Sequence, residues 1–161
     1  MKKIYLAGGC FWGVEAYFKD IKGVEDTLVG YANGNCEKTT YENLYQTHHA
    51  ETVEITYDGK EASLKRILEY FYYIIDPFSI NKQGNDVGLQ YRSGIFSKDE
   101  KDLEFSKKFI DEKQKNEDRK IQIKVEKLEN FVKAEDYHQD YLEKNPNGYC
   151  HIDLLDKPNL D

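Results

Sequence analysis

Residues 3–21 read KIYLAGGCFWGVEAYFKDI, and the fold is decided by how this stretch is read. Lys3 to Ala7 is short and apolar, which suits a buried strand. Gly8-Gly9 breaks it. From Cys10 to Ile21 the apolar residues Phe11, Val14, Phe18 and Ile21 recur near the helical period. The prediction is a strand feeding a helix through a glycine turn, with Cys10 in the first helical turn. Free N–H groups and the helix dipole favour an anion at that position, so a thiol there is disposed toward its reactive thiolate. The flanking glycines let a ligand approach the backbone closely. Phe11 and Trp12 supply an aromatic wall beside the sulfur. The competing reading of Cys10 is a buried, inert thiol, the commonest role of a free cysteine.

Working outward, Val24 to Tyr31 reads as a second strand and Asn33-Gly34-Asn35 as a loop. Thr52 to Tyr57 alternates, with Val53, Ile55 and Tyr57 on one face and Thr52, Glu54 and Thr56 on the other, as in a half-buried strand. Glu61 to Ile75 carries Leu64, Ile67, Leu68, Phe71 and Ile75 on one helical stripe, and Pro77 stops it. Phe78 to Gly88 reads as a polar loop, Gln90 to Phe96 as a strand and Asp99 to Glu117 as a charged helix. Ile121, Ile123 and Val125 alternate as a further strand. Ala134 to Glu143 reads as a short helix, and the segment after Cys150 as irregular. Helices alternate with strands, yet some strands follow one another directly. The expected architecture is α+β: a two-layer sandwich with a mixed sheet and a ferredoxin-like (split βαβ) core. A length of 161 residues suits a single domain over 1–161.

Composition excludes several classes. Apolar residues make up 39 % and charged residues 33 %, as in an ordinary globular chain rather than a disordered one. The net charge is −7 with no basic block, which disfavours nucleic acid as a partner. No run is long enough to span a bilayer. Lys2 and Lys3 precede a largely uncharged run, but Gly8, Gly9 and Gly13 interrupt it and no small-residue cleavage site follows, so export is not expected. The three cysteines, Cys10, Cys36 and Cys150, are odd in number and widely spaced, which suits a reducing cytoplasm better than a secreted disulfide framework. Together with the four histidines they have no zinc-ligand spacing, so no metal is expected.

Gly9-Cys10-Phe11-Trp12-Gly13 resembles the signature of the A-type peptide methionine sulfoxide reductases. Further segments match in the same order: Gly30-Tyr31 with Tyr41; His49-Ala50-Glu51; Gly84-Asn85-Asp86; Gln90-Tyr91-Arg92-Ser93; Ala134-Glu135-Asp136-Tyr137-His138-Gln139; and Asn145-Pro146 with Gly148-Tyr149-Cys150. One pentapeptide would be modest support, whereas an ordered set spanning nearly the whole chain is strong.

The resemblance implies a reaction. Cys10 is the nucleophile toward the sulfoxide sulfur, and Glu51 gives a proton to its oxygen, a role that requires a carboxyl pKa raised by burial. Tyr41 and Tyr91 hydrogen-bond that oxygen, and Asp86 organises the polar side of the cleft through water. Phe11 and Trp12 cradle the substrate methyl, which gains from aromatic contact. Cys150 is the recycling cysteine: a sulfenic acid on Cys10 condenses with it to a disulfide, which thioredoxin or another dithiol reduces. The implied substrate is the S epimer of methionine sulfoxide, free or in oxidised proteins under repair. No metal or organic cofactor is required. Residues His151 to Asp161 lack the second recycling cysteine and the glycines of many relatives, so a relay of two disulfides is not expected. Cys36 matches nothing in the pattern, and the resemblance gives His49 and His138 supporting roles. The rival readings are a cysteine hydrolase or transferase with a histidine aimed at Cys10, a thiol peroxidase, and a non-catalytic domain with a degenerate site.

Overall fold

In a computed structural model, which describes residues 1–160, strand β1 (Lys2–Gly8) runs through the interior of a six-stranded sheet. Asp161, the last residue of the segment expected to be irregular, lies outside the described residues. Both faces of β1 are covered. Ile4 and Leu6 join the main core, while Tyr5 and Ala7 join a smaller cluster on the opposite face with Phe96, Ala32 and Ala50. A strand buried on both sides reads as a continuous apolar run rather than an alternation.

The other strands of this sheet are β2 (Val24–Ala32), β3 (Ala50–Tyr57), β6 (Ser93–Ser97), β7 (Lys124–Lys127) and β8 (Phe131–Lys133). Their order is β7-β6-β1-β3-β2-β8, and only β6 and β7 pair in parallel. A separate hairpin joins β4 (Lys82–Gln83) to β5 (Asp86–Val87) through Gly84-Asn85. The helices are α1 (Phe11–Lys19), α2 (Leu44–Thr47), α3 (Leu64–Ile74), α4 (Glu100–Gln114) and α5 (Tyr141–Lys144). Phe11, Val14 and Phe18 of α1, Ile67, Leu68 and Phe71 of α3, and Phe109 of α4 share one core with Ile4, Leu6, Val53, Ile55 and Tyr57 of the sheet. Burying each such side chain contributes about 1.5–3 kcal/mol. The α3 start is capped by Ser63, which accepts from the Arg66 N–H, and the α4 start by Asp99, which accepts from the Lys101 N–H. No helix among the described residues is long and apolar enough to cross a membrane.

The α+β class and the mixed sheet agree with the sequence. Several bounds do not. Gln90 and Tyr91 belong to a short 3-10 turn, Leu89–Tyr91, and the strand begins only at Ser93. Arg92 explains the turn: its guanidinium donates to the carbonyls of His48, Leu89 and Asn33 and fastens the chain there. Ile121 and Ile123 are buried as expected, but the Ile121 N–H goes to the Gln114 side chain and the Gln122 N–H to Pro77, so pairing starts at Lys124. The helix expected over Ala134 to Glu143 is broken. Asp136–His138 is a 3-10 turn, the Gln139 side chain bonds Val29 and Ala134, and Asp140 takes a left-handed φ of 54° before α5 begins. The loop expected over Phe78 to Gly88 contains the β4–β5 hairpin.

From His151 to Leu160 the chain is irregular, as expected, and lies along α1 and α3 as a strap. Side chains hold it. Tyr17 donates to the Asp156 carbonyl, Tyr73 to the Asp156 carboxylate, and the Lys157 ammonium sits 3.6 Å over the Tyr17 ring.

Candidate active site

The antiparallel register Leu6↔Val53 places the C-terminal end of β1 beside the N-terminal end of β3. Two residues further along the same register, Gly8 comes level with Glu51. Cys10 follows β1 across Gly9, whose φ of +87° makes the turn. Residues forty apart in the chain are thus neighbours: the Phe11 N–H donates to Glu51 Oε1 at 3.2 Å. The sequence reading put Glu51 just before its strand. It is instead the second residue of β3, on the core-facing side with Val53 and Ile55, and only 2 % exposed.

Burial sets the charge state of this pair. It is the main cause that raises the Glu51 carboxyl from 4.5 to about 8; the Phe11 N–H pulls the other way, and Asp86 adds to the rise. The Cys10 thiol also rises well above its ordinary value, first through burial and then through Glu51, against a lowering contact with the Trp12 N–H. This corrects the expectation from helix position alone. Cys10 does cap α1, but burial above all, with Glu51 facing it, outweighs the helix terminus and favours the thiol over the thiolate. The two acids disfavour each other's anions and titrate as a coupled pair.

Two tyrosines complete the polar side. Tyr41 and Tyr91 share a hydrogen bond, and both hydroxyls are raised, first by burial and then by Glu51. Both therefore remain neutral donors at physiological pH. Asp86 Oδ2 is buried without a protein partner among the described residues, while the Tyr149 hydroxyl lies at the Asp86 carboxylate. A buried carboxylate oxygen of this kind suits a bound water.

The aromatic wall is built from behind. Trp12 stacks on Tyr141 with ring centroids 3.7 Å apart and planes 13° apart, and its indole N–H donates to His138 Nδ1 at 3.0 Å. Phe11 is 1 % exposed and packs between Tyr31 and His138. The stack is held by buried Glu15, which accepts from the Thr27 hydroxyl and from the Asp140 N–H, while Lys19 pairs with Asp140 and Glu143.

Cys150 is partly buried and its thiol donates to the Ile152 carbonyl at 3.2 Å. It packs against α1 where Gly13 has no side chain: a Cβ at Gly13 would stand 3.0 Å from Cys150 Sγ. All three cysteines are free, and Cys36 is exposed, apart from this group. Glu51, Asp86 and Cys150 bear electrostatically on Cys10, Tyr41 and Tyr91 interact with Glu51, Asp86 and Cys10, and Phe11 and Trp12 follow Cys10 in the chain, so the expected residues are brought together.

Some supporting residues have no role in the sequence reading. Glu135 accepts from the Tyr31 hydroxyl and from the Tyr41 N–H, and so ties the Tyr41 loop to the sheet. Its only signal was membership of the Ala134–Gln139 block. His151 Nε2 lies 3.0 Å from the Gly8 carbonyl, and nothing in its local sequence suggested that. Histidine rings bond elsewhere than Cys10: His138 to Trp12, His151 to Gly8 and His49 to Thr47. Among the described residues no group of three or more His, Cys, Asp or Glu is placed to hold a metal ion.

Comparison with known proteins agrees with this geometry. The family model for peptide methionine sulfoxide reductase matches residues 2–159. The reduced form of Mxr1 from Saccharomyces cerevisiae is similar at 38 % identity over 92 % of this chain and 88 % of that chain, with a TM-score of 0.87. Methionine sulfoxide reductase A of Corynebacterium diphtheriae is similar at 31 % identity over 92 % of this chain and 77 % of that chain, with a TM-score of 0.88. Mxr1 in complex with Trx2 is similar at 30 % identity over 87 % and 84 %, with a TM-score of 0.63. With a cysteine at the mouth of a helix, a buried carboxyl facing it, and a family match from end to end of the sheet, the chain belongs to the peptide methionine sulfoxide reductases.

Proposed function

We propose that this oxidoreductase reduces the S epimer of methionine sulfoxide, free or in oxidised proteins, through a sulfenic acid on Cys10. The observation that carries the proposal is the Glu51 carboxyl: buried, held by the Phe11 N–H beside Cys10, and raised to about 8, so that it is mostly protonated near neutral pH. A sulfoxide oxygen must be protonated to leave sulfur, and such a group supplies the proton. Tyr41 and Tyr91 donate to the same oxygen, Asp86 arranges water on that side, and Phe11 with Trp12 receives the methyl. Overall, Cys10–SH and the sulfoxide become Cys10–SOH and the thioether. The oxygen passes between the two sulfurs, the substrate is reduced by two electrons, and Cys10 is oxidised by two.

Cys150 then attacks the sulfenic sulfur. The S–O bond breaks, water leaves, and a Cys10–Cys150 disulfide remains. The place of Cys150 over Gly13, one turn along α1 from Cys10, supports this step. Likeness to the Mxr1 complex with Trx2 supports thioredoxin as the reductant. The residues assign no step to a metal or organic cofactor. We further take the chain as one domain over 1–161, cytoplasmic in its cysteine usage, with a ferredoxin-like, two-layer core. The strand order β6-β1-β3-β2 with antiparallel neighbours, and the shared core of α1 and α3, support that architecture.

The test is single-turnover reduction of racemic methionine sulfoxide by the pre-reduced protein with the epimers resolved. Consumption of one epimer, lost in Cys10→Ser, supports the reading; formation of no methionine overturns it.

A further inference from the structure

Oxidised Cys10 must be attacked by Cys150, yet Cys150 rests as a thiol. Its Sγ–H donates to the Ile152 carbonyl, and burial raises it above its ordinary value. A protonated thiol is a poor nucleophile, so the recycling step needs a base. The neighbouring His151 is placed for it. A carbonyl only accepts, so the 3.0 Å contact with the Gly8 oxygen puts the imidazole proton on Nε2. The lone pair is then on Nδ1, which is buried and has no partner among the described residues.

Glycines make room for this ring. A Cβ at Gly9 would stand 3.0 Å from His151 Nε2, and one at Gly84 would stand 3.1 Å from His151 Cβ. A Cβ at Gly13 would meet both partners, Cys150 Sγ at 3.0 Å and His151 Cε1 at 3.6 Å. Thiol and imidazole thus bear on the same bare spot of α1, one turn from Cys10. The bond to Gly8 fixes the ring to the strand that carries the nucleophile.

We propose that His151 accepts the thiol proton of Cys150 as that cysteine attacks the sulfenic acid on Cys10, and returns it to the departing hydroxide. This rests on the sulfenic acid cycle proposed above. The S–S bond forms as the S–O bond breaks, Cys150 is oxidised, Cys10 is reduced, and the proton leaves Sγ for Nδ1 and ends in water. No further oxidant is needed. The groups that bear on the ring are the Gly8 carbonyl from β1 and the Asp86 carboxylate from β5; the Gln83 side chain shares its place at Gly9, the Tyr149 hydroxyl its place at Gly84, and the Cys150 thiol its place at Gly13. Burial lowers the imidazole, and the carbonyl and Asp86 oppose that, so the ring is a free base at neutral pH.

His151→Gln tests the proposal, since the glutamine amide retains a donor toward Gly8 without a basic nitrogen. The pre-reduced protein is mixed with one equivalent of methionine sulfoxide, quenched over time and assayed for methionine and for the Cys10–Cys150 disulfide. Methionine should form within about twofold of the wild-type rate, while disulfide formation slows on the order of 10²-fold. In the wild type the disulfide rate should be level near neutrality and fall on acidification below pH 6.5. In the variant it should rise with pH in proportion to thiolate. Disulfide formation at the wild-type rate with an unchanged pH profile would overturn the role of His151. So would an equal slowing of both steps, which marks a support of Cys10 only. No methionine from the wild type would instead overturn the underlying cycle.

Discussion

The backbone N–H of Phe11 donates to the Glu51 carboxyl at 3.2 Å, so the residue after Cys10 holds the buried acid. Thiol and carboxyl are thereby mounted together, on the β1–α1 turn against the start of β3. The cost is a carboxyl in an apolar setting.

That cost gives Glu51→Gln two opposite effects. First-turnover methionine formation should fall on the order of 10²–10⁴-fold at pH 7, and the gap should narrow above pH 8 as wild-type Glu51 ionises. Stability should move the other way. The folded protein holds this proton more tightly than the unfolded chain, so the contribution is complete below about pH 4.5 and lost as pH rises toward 8. The glutamine variant escapes that loss and should be more stable at pH 8 by on the order of 1–3 kcal/mol. Urea titration at pH 5 and pH 8 reads it; equal stability at both would contradict the buried-acid account.

Cys150→Ser should yield about one methionine per chain and then stop when thioredoxin is the reductant. Continued turnover with thioredoxin would remove Cys150 from the cycle and direct attention to Cys36, which is exposed and free.

Gly13→Ala puts a methyl 3.0 Å from Cys150 Sγ. The alanine itself favours the helix by roughly 1 kcal/mol, so thermal stability should change little. Disulfide formation should slow about tenfold, because the thiol is displaced from its seat; that figure is a rough one from the sensitivity of near-attack geometry. Methionine release in the first turnover should be unaffected, and a rate lost equally in both steps would show that the glycine serves Cys10 instead.

His138 holds Trp12 through its unprotonated Nδ1, and burial lowers the imidazole below 6.5. Protonation would set two N–H groups against each other. Substrate KM should stay level through neutrality and rise on acidification, with a parallel change in the fluorescence of Trp12, the only tryptophan. His138→Ala should raise KM several-fold and abolish that pH response. Fluorescence unchanged by the substitution would disprove the coupling.

The main-chain plan was legible wherever local period and core burial agree: β1, α1, β3 and α3 were all readable from apolar spacing. It was not legible where side chains override the pattern. Arg92 collects three carbonyls and turns Gln90-Tyr91 out of the strand, and Gln139 breaks a helix by bonding Val29 and Ala134. The candidate site residues come from the ordered motifs, since no local signal distinguishes Tyr41 or Asp86 from surface polar groups. Helix position, which is visible in sequence, points Cys10 toward the thiolate; burial, and after it the facing Glu51, push it back toward the thiol, as the competing reading of a buried cysteine had it.

The strap beyond Cys150 rests on Tyr17, Tyr73, Lys157 and the bond of His151 to Gly8, and it joins neither sheet. It is tied down by side chains, with Ile152 buried in the core, and not by a ladder of backbone hydrogen bonds. A covalent tie between Cys10 and Cys150 would clamp its near end, and reduction would release it, so oxidation state becomes mechanical compliance. Amide hydrogen exchange over residues 151–160 should therefore slow in the oxidised enzyme and quicken in the reduced one, and equal exchange in both would show that the strap is held by its side chains alone.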